Sequence, residues 1–285
     1  MQVSSEHKAI PITADIIVKD LISGITKIKA DLIIGMYLTG SIPLNDFHPN
    51  KSDIDLLILC KEFPERNLQQ KIKQVHNSID RKFKKTNLNG YYITPDGLNF
   101  HNVQTTKTLS FEEGRIHESA FEMAPTTLYE LKTVAITVCG IPAHHLPVVI
   151  EQKDVNDFLL NNINSYWNNW VNKHASASQK KILLVLIPRL TEWVILGVAR
   201  QLYTLKTGNI TSKTGAGYYC LEHLPKKYHP VLLKAIKIRN DDCKHFLSIK
   251  TSYYVQPSIK RSVETIECAR YIIRLFNDEY NKSEK

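Results

Sequence analysis

The spacing of apolar residues changes near residue 150, and that change constrains the fold more than any other feature of the chain. Before it, short branched-apolar segments alternate with helical ones. The segments "LIIGMYLTG" (32–40) and "DIDLLILC" (53–60) are bounded by turn residues, so they predict two strands joined by a loop containing Asn, Pro and Lys. Apolar residues at Ile16, Ile17, Leu21, Ile25 and Ile28 form a helical stripe that predicts a helix over 14–30, and 64–83 predicts another. "NLNGYYITPDGLNFHNVQT" then reads as a third strand with a Pro-Asp-Gly turn. Beyond residue 150 the spacing is helical throughout, in 154–171, 179–208, 216–224, 229–247 and 262–281. Gly208 is a helix stop in this reading and Ser212 an N-cap; Pro188 starts or kinks a helix, and Pro225 and Pro230 separate the later ones. The expectation is an α+β chain: residues 1–150 a mixed sheet with flanking helices, residues 151–285 an all-α helical bundle.

At 285 residues, 43% hydrophobic and 23% charged, the composition is that of a soluble globular protein. The longest apolar runs fall short of the roughly 18 residues that span a bilayer, and "MQVSSEHKAI" has no signal-like apolar region, so no membrane partner and a cytoplasmic location are expected. Five scattered cysteines without metal-ligand spacing read as reduced, buried thiols. Residues 151–285 hold 21 Lys+Arg against 12 Asp+Glu, whereas residues 1–150 hold 16 of each, so the net charge of +9 lies in the second half. Such a half suits nucleotide phosphates or a nucleic-acid backbone, or is simply a solvated basic surface; charge alone does not choose.

The chemistry is concentrated in "LTGSIPLNDFHPNKSDIDLLILC", Leu38 to Cys60. In a strand, residues two apart project from one face, so Asp53 and Asp55 point together while Ile54 and Leu56 turn to the buried side. Two carboxylates that close repel unless a cation neutralises them, and Mg²⁺ uses one or two protein carboxylates together with substrate phosphates. Upstream, Gly40 permits a turn whose backbone N–H groups approach an anion, and Ser41 adds a hydroxyl. Cradle and metal pair together suit a Mg-bound nucleoside triphosphate and in-line displacement at phosphorus.

"YLTGSIPLNDFHPNKSDIDLLIL" resembles the signature of the DNA polymerase β-like nucleotidyltransferase superfamily, and "ARQLYTLKTGNITSKTGAGYYCLEHLPKKYHPVLLKAI" (199–236) is similar to the C-terminal domain of the aminoglycoside (3'')(9) adenylyltransferases. The resemblance implies an N-terminal nucleotidyltransferase domain packed on a C-terminal helical bundle, and transfer of AMP from ATP to a hydroxyl of streptomycin or spectinomycin. Ser41 would bind the triphosphate and Asp53 and Asp55 the Mg²⁺, while Arg200 and Lys213 match basic residues that contact ATP. Arg239 stands where the family has a nucleotide-contacting tyrosine, and Glu192 is the nearest match to an acidic aminoglycoside contact.

Two positions depart from the family. Its third carboxylate, the base that takes the proton from the acceptor hydroxyl, falls on Asn89, which leaves Asp96, Glu112 and Glu113 as substitutes; Glu112 is taken as the catalytic candidate. After "LSFEE", where the family has a tryptophan against streptomycin, the chain has Gly114. The resulting expectation is an ATP- and Mg²⁺-using transferase acting on a small-molecule hydroxyl, monomeric and without a nucleic-acid partner. A nucleotide-binding regulatory protein with weakened activity and a transferase acting on nucleic acid stand as alternatives.

Overall fold

In a computed structural model, which describes residues 9–49, 51–84, 87–102, 106–112, 114–120, 123–176, 187–240 and 256–283, the chain divides into two units, Met1–Glu151 and Gln152–Lys285. In the first, the two apolar segments form the antiparallel strands Ile33–Thr39 (β1) and Ile54–Cys60 (β2). The helix Arg66–Lys82 (α2) carries the chain from β2 to Leu88–Ile93 (β3), which therefore runs parallel to β2. A Pro95–Leu98 3₁₀ turn follows, then the hairpin Lys107–Glu112 (β4) and Arg115–Ala120 (β5), the helix Pro125–Thr133 (α3) and the short strand Ile136–Cys139 (β6). The sheet order is β5-β4-β3-β2-β1-β6, antiparallel except at β2–β3, which makes it the mixed sheet expected.

One face of this sheet packs on Ile12–Ile28 (α1) and α2. Met36, Leu38, Ile54, Leu56, Ile58, Tyr92, Leu109 and Phe111 meet Ala14, Ile17, Val18, Leu21, Ile25, Ile72 and Ile79 in the core. The predicted stripe on α1 is right in most members, but Ile16 is exposed and Ala14 and Val18 are buried in its stead, because the buried face is rotated slightly from the one drawn by isoleucines alone. On the opposite face the lower strand positions, Tyr37, Leu57, Leu59 and Ile93, are also buried.

This core contains one ionisable pair. His76 on α2 and Tyr92 on β3 are both enclosed, His76 Nε2 lies 2.8 Å from the Tyr92 hydroxyl, and burial pushes the imidazole down to about 4. The unfolded chain, with an ordinary histidine near 6.5, therefore binds more protons than the folded one between these values, so the stability this group contributes is full above pH 6.5 and lost as the pH falls toward 4. Denaturant titrations should show the wild type losing about 3 kcal/mol more than His76→Gln over that interval. Identical pH profiles would show that His76 is not held neutral by the fold.

The second unit is helical, as predicted. Gln152–Asn162 (α4) passes through a π turn, Ile163–Trp167, into Asn168–Ser176 (α5). Pro188–Thr207 (α6) supplies Val194, Ile195, Leu196, Val198, Ala199 and Leu202 to the core and packs against Lys213–His223 (α7), His229–Asn240 (α8) and Gln256–Ser283 (α9). Pro188 opens α6, Gly208 ends it in the left-handed conformation, and the Ser212 hydroxyl accepts the Gly215 amide as the N-cap of α7. Pro225 precedes a 3₁₀ turn, whereas Pro230 lies in the first turn of α8, where its missing N–H costs nothing. The predicted helical stretches 179–186 and 241–247 lie outside the described residues.

Cys60, Cys220 and Cys268 are buried free thiols; burial pushes Cys60 and Cys220 up to about 12 and Cys268 higher, so none is a nucleophile at neutral pH. Among the described residues, no helix is long and apolar enough to cross a membrane.

Candidate active site

The sheet aligns the residues singled out in the sequence. Asp55, the second residue of β2, pairs with Thr39 of β1 on one side and Asn89 of β3 on the other. Ile54 and Leu56 are fully buried on the helical side while Asp55 is half-buried, so the alternation places its carboxylate on the opposite face; Asp53, also half-buried, immediately precedes the strand. The β3–β4 ladder ends where Gly90 pairs with Phe111, so Asn89 and Glu112 each lie one residue beyond it on neighbouring strands. Glu112 in turn faces Arg115 across the hairpin. Thr39, Asp55 and Asn89 therefore form a row across three strands, and Glu112 and Arg115 pair at the end of the neighbouring hairpin. With strands about 4.8 Å apart, Glu112 stands roughly 10 Å from Asp55 at the backbone.

Gly40 follows β1 with φ +65°, and a Cβ at this position would collide with the Asp55 carboxylate. Only glycine lets the turn leave β1 against that side chain. The Gly40 amide is not open toward solvent, as a phosphate cradle requires; it donates to Glu130 Oε2 of α3 at 2.8 Å. In this structure Gly40 therefore contributes its close approach to Asp55, while its own N–H is taken by Glu130. Ser41 Oγ, by contrast, is buried without a hydrogen-bond partner, so its hydroxyl is unspent.

The loop between Ser41 and Asp53 is tied to itself. The Asp46 amide donates to the Ser41 carbonyl at 3.0 Å, the His48 amide to Ser52 Oγ at 3.0 Å, and His48 Nε2 lies 2.9 Å from the buried Asp46 carboxylate. These bonds fix the entry to β2 and so the placement of Asp53.

Of the other carboxylates, Glu112 is exposed at the end of β4, Asp96 is exposed in the 3₁₀ turn, and Glu113 lies outside the described residues. Gly114 makes the β4–β5 turn at φ +76°, and a Cβ there would come within 2.9 Å of Asp80 Oδ2. A tryptophan at this position is disfavoured both by backbone conformation and by space.

In the helical unit, three candidates meet. Glu192 Oε1 on α6 is buried, 3.7 Å from Lys213 Nζ at the start of α7 and 3.9 Å from an Arg239 terminal nitrogen near the end of α8. Arg239 is itself buried. Arg200 is half-buried on the same helix as Glu192, about 12 Å further along its axis. The carboxylate expected to meet a cationic substrate thus already faces two cations.

A mixed sheet carrying paired carboxylates beside a Gly-Ser turn, followed by a helical unit with clustered cations, defines the nucleotidyltransferase class. Residues 20–96 match the family model described as "Nucleotidyltransferase domain", and residues 165–256 match "Aminoglycoside adenylyltransferase, C-terminal domain". The chain is an aminoglycoside adenylyltransferase-like nucleotidyltransferase. Its fold is similar to that of a spectinomycin adenyltransferase, AAD(9), from Enterococcus faecialis, solved with ATP and spectinomycin, at TM-score 0.61 and 17% identity over 88% of this chain and 98% of that one. At that identity the likeness is one of fold. No curated protein matches the chain in sequence.

Sequence reasoning missed Glu130 and the Asp46–His48 pair. Glu130 sits in "TTLYELKT", an ordinary helical segment, and nothing local marks its carboxylate as reaching the turn ninety residues earlier.

Proposed function

We propose that the protein transfers AMP from ATP to a hydroxyl of a small molecule, with aminoglycoside-type antibiotics of the streptomycin and spectinomycin kind as the first acceptors to consider. The observation that carries this reading is the placement of Asp55 on β2 with Asp53 at its entry, the Asp55 carboxylate lying against Gly40 and the unspent Ser41 hydroxyl next along the chain. The spectinomycin adenyltransferase of like fold, holding ATP and spectinomycin, supports the choice of nucleotide and acceptor.

The donor set fits Mg²⁺. Two adjacent carboxylates suit a hard cation that takes its remaining oxygens from phosphates and water, and among the described residues no third His, Cys, Asp or Glu completes an all-protein cage. Asp53 and Asp55 would hold the ion, which when bound supplies charge neutralisation at the α-phosphate and the leaving pyrophosphate. Ser41 donates its hydroxyl to a phosphate oxygen. Within the helical unit, Arg200, Lys213 and Arg239 are the cations suited by charge to phosphate oxygens, and Glu192 acts as counter-ion to Lys213 and Arg239, keeping two close cations from repelling each other in the free protein. Glu112 takes the proton from the acceptor hydroxyl; the acceptor oxygen bonds to the α-phosphorus, the bond to the bridging oxygen breaks, and pyrophosphate leaves.

The position of Asn89 favours one second reading. An amide beside Asp55, in the place of a base, suits a protein that binds nucleotide without transferring it. Pyrophosphate release with ATP, Mg²⁺ and an antibiotic acceptor separates the two: the transferase shows acceptor-dependent release that Asp53→Ala abolishes, and Lys213→Ala raises the KM for ATP about tenfold. Nucleotide binding without release across a broad acceptor panel would favour the regulatory reading.

A further inference from the structure

We propose that Glu130 is a positioning residue of the transfer reaction, holding the Gly40–Ser41 turn against β2 and so fixing the Asp55 carboxylate and the Ser41 hydroxyl. The proposal rests on the transferase reading given above. Glu130 lies on α3, outside both regions that match family models. Its side chain is 7% exposed, and Oε2 accepts the Gly40 amide at 2.8 Å. A buried hydrogen bond from an amide to a carboxylate oxygen is among the stronger contacts available to a turn. Gly40 is touched from two sides: its amide by Glu130 and its Cα by the Asp55 side chain, which lies where a Cβ would be. Gly40 is the most conformationally free residue of the turn, so without an acceptor its N–H is orphaned and the peptide is free to rotate. Asp55 then loses the surface it packs on. Because Glu130 already takes this amide, the phosphate contact in the turn falls to the Ser41 hydroxyl, which has no other hydrogen-bond partner.

Glutamine at position 130 keeps the acceptor oxygen and the side-chain volume, whereas alanine removes both. Three measurements on the full chain decide the matter: hydrogen exchange at the Gly40 amide, Mn²⁺ affinity with a non-hydrolysable ATP analogue present, and steady-state kinetics. For Glu130→Ala the expected results are loss of Gly40 protection, about tenfold weaker Mn²⁺ binding and a kcat about 100-fold lower, with the KM for ATP changed far less. Glu130→Gln should stay within about threefold of wild type in all three. Wild-type turnover and Mn²⁺ affinity in Glu130→Ala overturn the proposal, and so does a Glu130→Gln protein as impaired as the alanine variant. If the wild type binds Mn²⁺ and nucleotide yet transfers nothing, the transferase reading falls separately. The positioning claim is then decided on Mn²⁺ affinity, upheld by loss in Ala with recovery in Gln and overturned by equal affinity in all three proteins.

Discussion

Asp55→Asn is expected to lower kcat by about 1,000-fold or more while leaving the protein folded. Asparagine has nearly the same shape as aspartate, so it still fills the space beside Gly40 and still projects from β2 between Thr39 and Asn89. What it lacks is the second anionic oxygen and the charge. Asp55 lies against Gly40, whose amide Glu130 holds, and the asparagine keeps that packing. The melting temperature of the free protein should therefore stay close to the wild-type value even as pyrophosphate release disappears. Loss of activity accompanied by a lowered melting temperature would mean that Asp55 supports the fold and not the chemistry.

Glu112→Gln is expected to lower kcat by about 100- to 10,000-fold. Asn89 occupies the position beside Asp55 where a base would be expected, and Glu112 lies on the neighbouring strand one residue past the end of the β3–β4 ladder. An acceptor seated over Asn89 would present its hydroxyl to a carboxylate one strand further from the metal pair. It follows that Asn89→Glu in the Glu112→Gln background should restore part of the lost rate by returning a carboxylate to the row. Wild-type rates in Glu112→Gln would show that Glu112 is a solvated hairpin residue.

The strands, the α1 and α2 helices and the helical second half were legible because each depends on local spacing: "LIIGMYL" and "DIDLLILC" are too short and too branched for anything but buried strands, and α6 is punctuated by Pro188 and Gly208. The paired aspartates were legible for the same reason, since i and i+2 on a strand share a face whatever the rest of the fold does. Long-range contacts were not. That Glu130 reaches Gly40, and that Glu192 lies between Lys213 and Arg239, depends on how helices far apart in sequence pack, which no local pattern records. The use of Gly114 in place of an aromatic residue was visible, but its reason, a left-handed turn beside Asp80, was not. Exposure of Ile16 shows the limit of periodicity itself: a stripe defined by residue type can be rotated by one position when smaller residues such as Ala14 fill the buried side.

The central claim is transfer of an adenylyl group to a small-molecule hydroxyl, and mass spectrometry of the acceptor tests it most directly. Incubated with ATP, Mg²⁺ and spectinomycin or streptomycin, the wild-type protein should yield an acceptor heavier by one adenylyl group, and Asp53→Ala should yield none. An acceptor of unchanged mass with every antibiotic and every small hydroxyl compound offered, from protein that demonstrably binds ATP, would contradict the account.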